Sequence, residues 1–349
     1  MSVASAPLSV AALLTDLLER RDLSSKRMSA VMEELLTGMW GPAETAALLM
    51  ALRAKGETSE ELAAAAAVMR RHAQLLDTGR DDVLDTCGTG GDGTGTFNIS
   101  TATALVVAGA GVPVVKHGNR GVSSASGSAD VLSHLGVAMT ADAEMARRCL
   151  AEAGMAFCFA PSYHPALRHV GDVRRRLGVR TLFNCLGPLA NPAGAAYQLL
   201  GVGRPEWLDR MAGAMALLGT RRTVLVHGRD GLDEVSPAAP TLVRIVEAGT
   251  ITEAEWTPAD FGVPTCSLEE LRASGPAESA AIIRELLAGR EGPTAWVVIA
   301  NAGAALVAAG RAKSPAEGAA IARLSLVSGK AAAVLDALIR ISSAVSPSP

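Results

Sequence analysis

The sequence predicts an α/β protein: a small all-helical domain followed by a larger domain with a mostly parallel central sheet flanked by helices. Apolar residues recur at helical spacing, with no strand alternation, through roughly the first seventy residues. From Val83 onward, short β-branched runs alternate with helical stretches, the pattern of parallel strands joined by crossover helices. Nearly half the chain is hydrophobic, glycine and alanine are abundant and aromatics are 3%. That composition fits small-residue packing between helices and a sheet, and excludes a disordered chain.

In the first part, Leu13, Leu14, Leu17 and Leu18 mark one apolar face, and Met28, Val31, Met32, Leu35, Leu36 and Met39 mark a second. Gly41-Pro42 starts a third helix with proline at its first position, and Gly56 can end it. Thr58 and Glu61 have capping-box spacing at the head of a fourth. These methionine- and alanine-rich faces read as core or subunit contact. Candidate strands follow at 83–87, 112–116, 155–160, 198–202 and 223–227, with helices at 142–153 and 205–218 ending at Gly154 and Gly219. The runs 241–247 and 250–256 around Gly249 read as an appended antiparallel hairpin, and the rest, at 276–288, 293–309 and twice beyond Ser314-Pro315, as helix. A small helical domain at 1–80 follows.

A net charge of −3 argues against a general nucleic-acid surface, and no apolar run reaches the length of a membrane span. Cys87, Cys149, Cys158, Cys185 and Cys266 are odd in number and form no C-x-x-C pair, as expected of reduced thiols in a cytoplasm.

The chemistry concentrates between Asp85 and Asp130. Gly88-Thr89-Gly90-Gly91-Asp92-Gly93 leaves a short apolar run and precedes a helix beginning near Asn98-Ile99-Ser100-Thr101. Its glycines permit positive φ and let N–H groups approach an anion. Ser100 or Thr101 is expected to cap the helix, whose positive end would face the same pocket. A second loop, Lys116-His117-Gly118-Asn119-Arg120 through Ser123-Ser124, adds two cations, a histidine and hydroxyls. Most glycine-rich turns bind nothing, and this one is neither a dinucleotide fingerprint nor a P-loop. The pairing of two such loops, each leaving a strand, points to a sugar polyphosphate.

Two further stretches carry charge. In 227–236, Asp230, Asp233 and Glu234 fall within five residues at a strand's end. An Asp-Glu pair is most often a solvated turn, but Gly228, Gly231 and the position also fit magnesium shared with a polyphosphate. In 161–176, Tyr163 and His164 precede a helix bearing Arg174-Arg175-Arg176. Arg174 sits on a different face from its neighbours, so it can point inward and bind a carboxylate.

Taken together, Gly88 to Asp92, Asn98-Ile99-Ser100-Thr101, Lys116 to Arg120, Ser126-Gly127-Ser128-Ala129-Asp130, Phe183-Asn184 to Asn191-Pro192 and Asp233-Glu234 closely resemble the anthranilate phosphoribosyltransferases, across nearly the whole chain. The resemblance implies a homodimer joined through the helical domains, with part of 166–192 returning to the small domain, so that the large domain comprises 81–165 and 193–345. It implies that phosphoribosyl pyrophosphate (PRPP) lies along Gly88, Gly91, Asp92, Thr96, Asn98, Ser100 and Thr101, and that Lys116, His117, Gly118, Asn119, Arg120, Gly121, Val122, Ser123, Ser124 and Ser128 close over it. Anthranilate would approach Gly88, His117, Asn119, Tyr163, His164 and Arg174. Two Mg2+ ions are implied, one at Ser100 and one at Asp233 and Glu234. Gly121 stands where many relatives have serine or alanine.

The implied reaction transfers phosphoribose from PRPP to the anthranilate amine and releases pyrophosphate, in tryptophan biosynthesis. An aryl amine is neutral near pH 7, so no catalytic acid or base is assigned. The alternatives are a pyrimidine nucleoside phosphorylase-like enzyme, whose lysine-serine-rich first loop is missing, and a non-catalytic nucleic-acid-binding relative, which would lack Asp233-Glu234 and carry a basic surface.

Overall fold

The computed structural model describes residues 9–121, 126–139 and 142–344. Four helices come first: α1 (Val10–Leu18), α2 (Ser25–Leu36), α3 (Pro42–Lys55) and α4 (Ser59–Arg71). Pro42 opens α3 and Gly56, at φ 89°, closes it, while Thr58 and Glu61 form the expected reciprocal capping box on α4. Then follow β1 (Leu84–Asp85), α5 (Ile99–Gly109), β2 (Val114–Gly118), α6 (Ser128–His134), α7 (Ala143–Ala153), β3 (Met155–Phe159), α8 (Ala160–Tyr163), α9 (Arg168–Leu177) and α10 (Phe183–Leu189). The chain continues through β4 (Tyr197–Gly201), α11 (Pro205–Leu218), β5 (Arg222–Gly228), β6 (Thr241–Glu247) and β7 (Thr250–Trp256) to α12 (Pro276–Leu287), α13 (Pro293–Ala308), α14 (Pro315–Val327) and α15 (Lys330–Ser342).

The strands form a seven-stranded sheet in the order β3-β2-β1-β4-β5-β6-β7. The first five run parallel, and β6 and β7 add the antiparallel hairpin. Strand order reverses at β1, which pairs with both β2 and β4, Leu84 lying opposite Val114 on one side and Tyr197 on the other. In open α/β sheets ligands bind at such a switch point, beyond the carboxyl ends of the strands.

Alternation along the strands assigns each face its own core. Leu199, Val224 and Val226 pack with α5, α7, α13 and α15. The intervening Leu200, Val202 and Leu225 join a second core with α1 to α4, α9, α10 and α11. Trp207 of α11 and Phe183 of α10 belong to this second core, so the helical bundle is continuous with one face of the sheet.

Two local expectations are corrected. Asn98 is the N-cap residue of α5, and neither Ser100 nor Thr101 caps it; both lie inside the first turn. The stretch expected as a loop at 181–192 contains α10, which tolerates Pro188 because the helix is short and its Leu186 and Leu189 are buried. All five cysteines are free.

Candidate functional site

The glycine loop after β1 is shaped by its backbone. Gly90, Gly91, Gly93 and Gly95 all have φ between 63° and 78°, where a side chain would be strained. It lies against the end of β4: Thr89 N–H donates to the Gly201 carbonyl at 2.8 Å, and Gly203 N–H donates to Thr89 Oγ1 at 2.9 Å. These strand-end glycines admit no bulk. A Cβ on Gly88 would lie 2.9 Å from the Gly201 carbonyl oxygen, and one on Gly203 2.6 Å from that of Gly90. A Cβ on Gly201 would overlap the Asp233 carbonyl oxygen. The acidic turn after β5 is thereby pressed against the glycine loop across β4.

Three acids meet there. Asp92 closes its own turn by accepting from Thr94 Oγ1 at 2.6 Å, and it also lies within hydrogen-bonding reach of the Asp233 carboxyl. Burial, then the neighbouring Asp92 charge, pushes Asp233 up to about 7. Burial and the Asp233 charge likewise raise Glu234 well above the usual carboxylate range, against the pull of Lys116. Asp230, by contrast, is consumed within the turn, accepting from Ser236 Oγ at 2.6 Å. Crowded carboxylates ask for a proton or a cation between them. The donors are hard oxygens, the set that suits Mg2+. Among the described residues no three His, Cys, Asp or Glu side chains form a ready-made metal cage. The acids therefore offer part of a shell, of the kind Mg2+ completes with waters and phosphate oxygens.

Lys116, on β2, is 2% exposed. Its Nζ donates to the Thr86 carbonyl at 3.2 Å, Thr86 Oγ1 at 3.1 Å and Ser100 Oγ at 3.1 Å. Ser100, at the head of α5, also turns its backbone N–H toward the Glu234 carboxylate. The lysine, the helix start and the acidic turn thus share one locale. Asn98 is held by Ser279 of α12, whose Oγ donates to Asn98 Oδ1 at 3.0 Å, and by Ser126 Oγ at 2.8 Å. Thr96 makes an isolated antiparallel bridge with Arg272 and stands at the site's margin. Thr101 is fully buried, its hydroxyl without a partner.

The second loop departs at Gly118, where a Cβ would overlap Ser128 Oγ. Ser128 Oγ donates to the Asn119 carbonyl at 3.4 Å, and Gly121 N–H donates to Asp130 Oδ2 at 2.8 Å. Asn119, Arg120 and Gly121 are exposed. Arg120 pairs with Asp130 at 3.0 Å and stacks over Phe159. Val122, Ser123 and Ser124 lie outside the described residues.

Beside this locale His117 and His164 are buried together, with Tyr163 next to His164 in the chain, each no more than 3% exposed. His117 Nδ1 lies 3.0 Å from the Gly187 carbonyl of α10, and its ring centroid is 5.1 Å from that of His164. His117 Nε2 has no hydrogen-bond partner, while the Tyr163 hydroxyl faces the Cys158 thiol and the His164 ring faces the Ala190 carbonyl. Burial pushes His117 down to about 3 and His164 to about 4, so both rings are neutral at pH 7. Arg174 turns inward with its guanidinium 5.1 Å over the Phe183 ring, whereas Arg175 and Arg176 are exposed. Arg174 and His117 thus both contact α10, at Phe183 and at Gly187. A buried polar atom left without a partner, as His117 Nε2 is, can be met by a ligand bearing its own donor or acceptor.

Two participants escaped sequence reasoning. Asp85 is fully buried and orients the strand ends, accepting from the N–H groups of Cys87 and His117, both at 3.1 Å. Arg180 holds the glycine loop from behind, donating to the carbonyls of Thr89, Gly90 and Gly91. An acid inside a strand-like run and a lone loop arginine carry no local pattern; the Asp85-x-x-Gly88 spacing was the only available cue.

Comparison with known proteins identifies the family. The family model described as "Glycosyl transferase family, a/b domain" matches residues 80–332, and "Glycosyl transferase family, helical bundle domain" matches 11–73. The anthranilate phosphoribosyltransferase of Desulfitobacterium hafniense (strain Y51) is 48% identical over 93% of this chain and 96% of its own. The crystal structure of that enzyme from Thermus thermophilus matches with a TM-score of 0.88 at 44% identity, covering 95% of this chain and 99% of the other. The enzyme from Saccharomyces cerevisiae, in complex with PRPP and Mg, matches with a TM-score of 0.88 at 29% identity, covering 96% and 98%. A second yeast structure holds 4-fluoroanthranilate, with a TM-score of 0.87 over the same shares. With identity and coverage this high along both domains, the chain belongs to the anthranilate phosphoribosyltransferase family.

Proposed function

We propose that this protein transfers the 5-phosphoribosyl group of PRPP to the amine of anthranilate, giving N-(5-phosphoribosyl)anthranilate and pyrophosphate, in the tryptophan branch of amino-acid biosynthesis. The observation that carries this reading is the meeting of the glycine loop, Lys116 and the Asp233-Glu234 turn toward the carboxyl ends of the parallel strands, beside the buried His117–His164 pair.

The C1–O bond of PRPP breaks with its electron pair leaving on pyrophosphate, and the amine lone pair forms the new C1–N bond. The amine proton then passes to solvent. The glycine-loop N–H groups, the head of α5 and Lys116 meet the charge that grows on the departing diphosphate. Bound Mg2+ would supply further charge neutralisation on the diphosphate, with Asp233, Glu234 and the Ser100 hydroxyl as its protein-side donors. Arg174 takes the anthranilate carboxylate, and the neutral His117 and His164 rings line the aryl site. Holding the amine against C1 supplies the orientation that a bimolecular encounter lacks. The PRPP-side residues are Gly88, Gly91, Asp92, Asn98, Ser100, Lys116 and the start of the second loop.

Helices α1 to α4 share one core with α9, α10 and α11. Exposed Leu18 and Met39 on this helical part support a homodimer. A cytoplasmic location fits the five free thiols, and no described helix is long and apolar enough to cross a membrane. The test is loss of anthranilate fluorescence when PRPP and Mg2+ are added to the folded protein. Persistent fluorescence, with PRPP intact, would sink the reading.

A further inference from the structure

Arg180 lies in the short connector between α9 and α10, far in sequence from the glycine loop. Its Nη1 donates to the Gly91 carbonyl at 2.7 Å, and its Nη2 to the carbonyls of Gly90 at 2.6 Å and Thr89 at 3.1 Å. The guanidinium stacks 5.0 Å over the buried indole of Trp207, the α11 residue in the helical-side core. The connector itself is pinned, with Thr181 N–H donating to Asn184 Oδ1 at 2.9 Å. A Cβ on Gly91 would overlap the guanidinium, so loop and arginine interlock.

The consequence follows from peptide geometry. In a trans peptide the carbonyl of one residue and the N–H of the next point in opposite directions. Three successive carbonyls turned toward one guanidinium therefore turn the N–H groups of Gly90, Gly91 and Asp92 the other way. That side holds the acidic turn: the Gly90 N–H already faces the Asp233 carboxylate. Three aligned N–H groups make an anion-binding concavity, and the left-handed glycines leave it little intrinsic preference for that shape. The planar fork of an arginine suits several fixed acceptors at once, as an ammonium does not.

We propose that Arg180 is a positioning residue for the diphosphate. It holds the Thr89-Gly90-Gly91 backbone so that the loop presents its N–H groups to PRPP, and it never touches the substrate. Arg174 on α9 and Arg180 in the connector that follows it belong to one stretch of chain, which sets both the aryl-site cation and the diphosphate cradle. This inference rests on the function proposed above.

The experiment compares Arg180→Ala and Arg180→Lys with the wild-type chain at saturating Mg2+. The KM for PRPP rises at least about tenfold in Arg180→Ala, while the KM for anthranilate stays within about threefold and the melting temperature is retained. Added methylguanidinium lowers the raised PRPP KM. Arg180→Lys, with one ammonium for three acceptors, shows a smaller rise in the same direction and serves if the alanine variant fails to fold. An unchanged PRPP KM in a folded variant overturns the proposal, as does an equal rise in both KM values. Pyrophosphate binding by calorimetry separates the two readings: should the wild type prove inactive, weaker pyrophosphate binding by the variant still supports the cradle, and equal binding overturns it.

Discussion

Gly201 and Asp233 are packed backbone to backbone, with no room for a methyl group between them. This contact brings the acidic turn after β5 over the glycine loop after β1, because Gly201 also accepts the Thr89 N–H on its other side. Gly201→Ala must displace one turn or the other. Overpacking of this kind costs about 1–3 kcal/mol. Urea denaturation should show that loss, and kcat/KM for PRPP should fall more steeply than stability does. A variant with wild-type kinetics would mean that the two turns need not touch for catalysis.

Asp233→Asn combined with Glu234→Gln keeps the volume of the acidic turn while removing its charges. Turnover at limiting magnesium should be mostly lost, and higher magnesium should restore only part of it. Folding should survive, because burial and the neighbouring charges already push both carboxyl groups toward their neutral forms. Unchanged activity and unchanged magnesium dependence would refute the metal assignment.

Much of this architecture was legible in the sequence, for identifiable reasons. The hairpin at Thr241–Glu247 and Thr250–Trp256 has the expected bounds because Ala248 and Gly249 take the left-handed turn between two alternating runs. The α4 capping box reads directly from Thr58 and Glu61. β1 is shorter than the expected strand 83–87 because Asp85 turns aside to accept two backbone N–H groups and releases the glycine loop. α10 was hidden by Gly187-Pro188, residues that signal a break unless burial overrides them. Among site residues, the glycine, lysine and acidic positions announce themselves by type and spacing. Arg180 does not, since its three acceptors lie about ninety residues away in sequence and nothing local marks them.

Arg174 offers the cleanest separation of the two substrates. Its guanidinium is drawn inward over Phe183, and burial lowers its affinity for a proton without a partner acid to offset this. A carboxylate arriving there would gain a charge-assisted, two-pronged hydrogen bond, worth about 1.5–3 kcal/mol. Arg174→Ala should therefore raise the KM for anthranilate at least about tenfold and leave the KM for PRPP nearly unchanged, with Arg174→Lys intermediate. A rise confined to PRPP would assign Arg174 to the other site.

The buried histidines give a pH signature whose sign is fixed. His117 and His164 are held neutral in the fold, near 3 and 4, against an ordinary value of 6.5. The unfolded chain takes up these protons as pH falls below about 6.5, and the native chain resists until its own lower values are reached. Native stability is therefore lost as pH falls from 6.5 toward 4, and the pair contributes no slope above 6.5. Asp85 acts oppositely: burial raises it to about 6, so its share of stability grows as pH falls through 6 toward 3.8. Comparing wild type with His117→Asn/His164→Asn cancels the Asp85 part and isolates the imidazoles. Melting temperatures between pH 7 and 5 should decline less steeply in the double variant, while the anthranilate KM of the wild type shows no inflection near 6.5 from either ring. Parallel melting curves would mean that the two rings titrate in the fold as they do in the open chain, and that the aryl pocket is wet rather than dry.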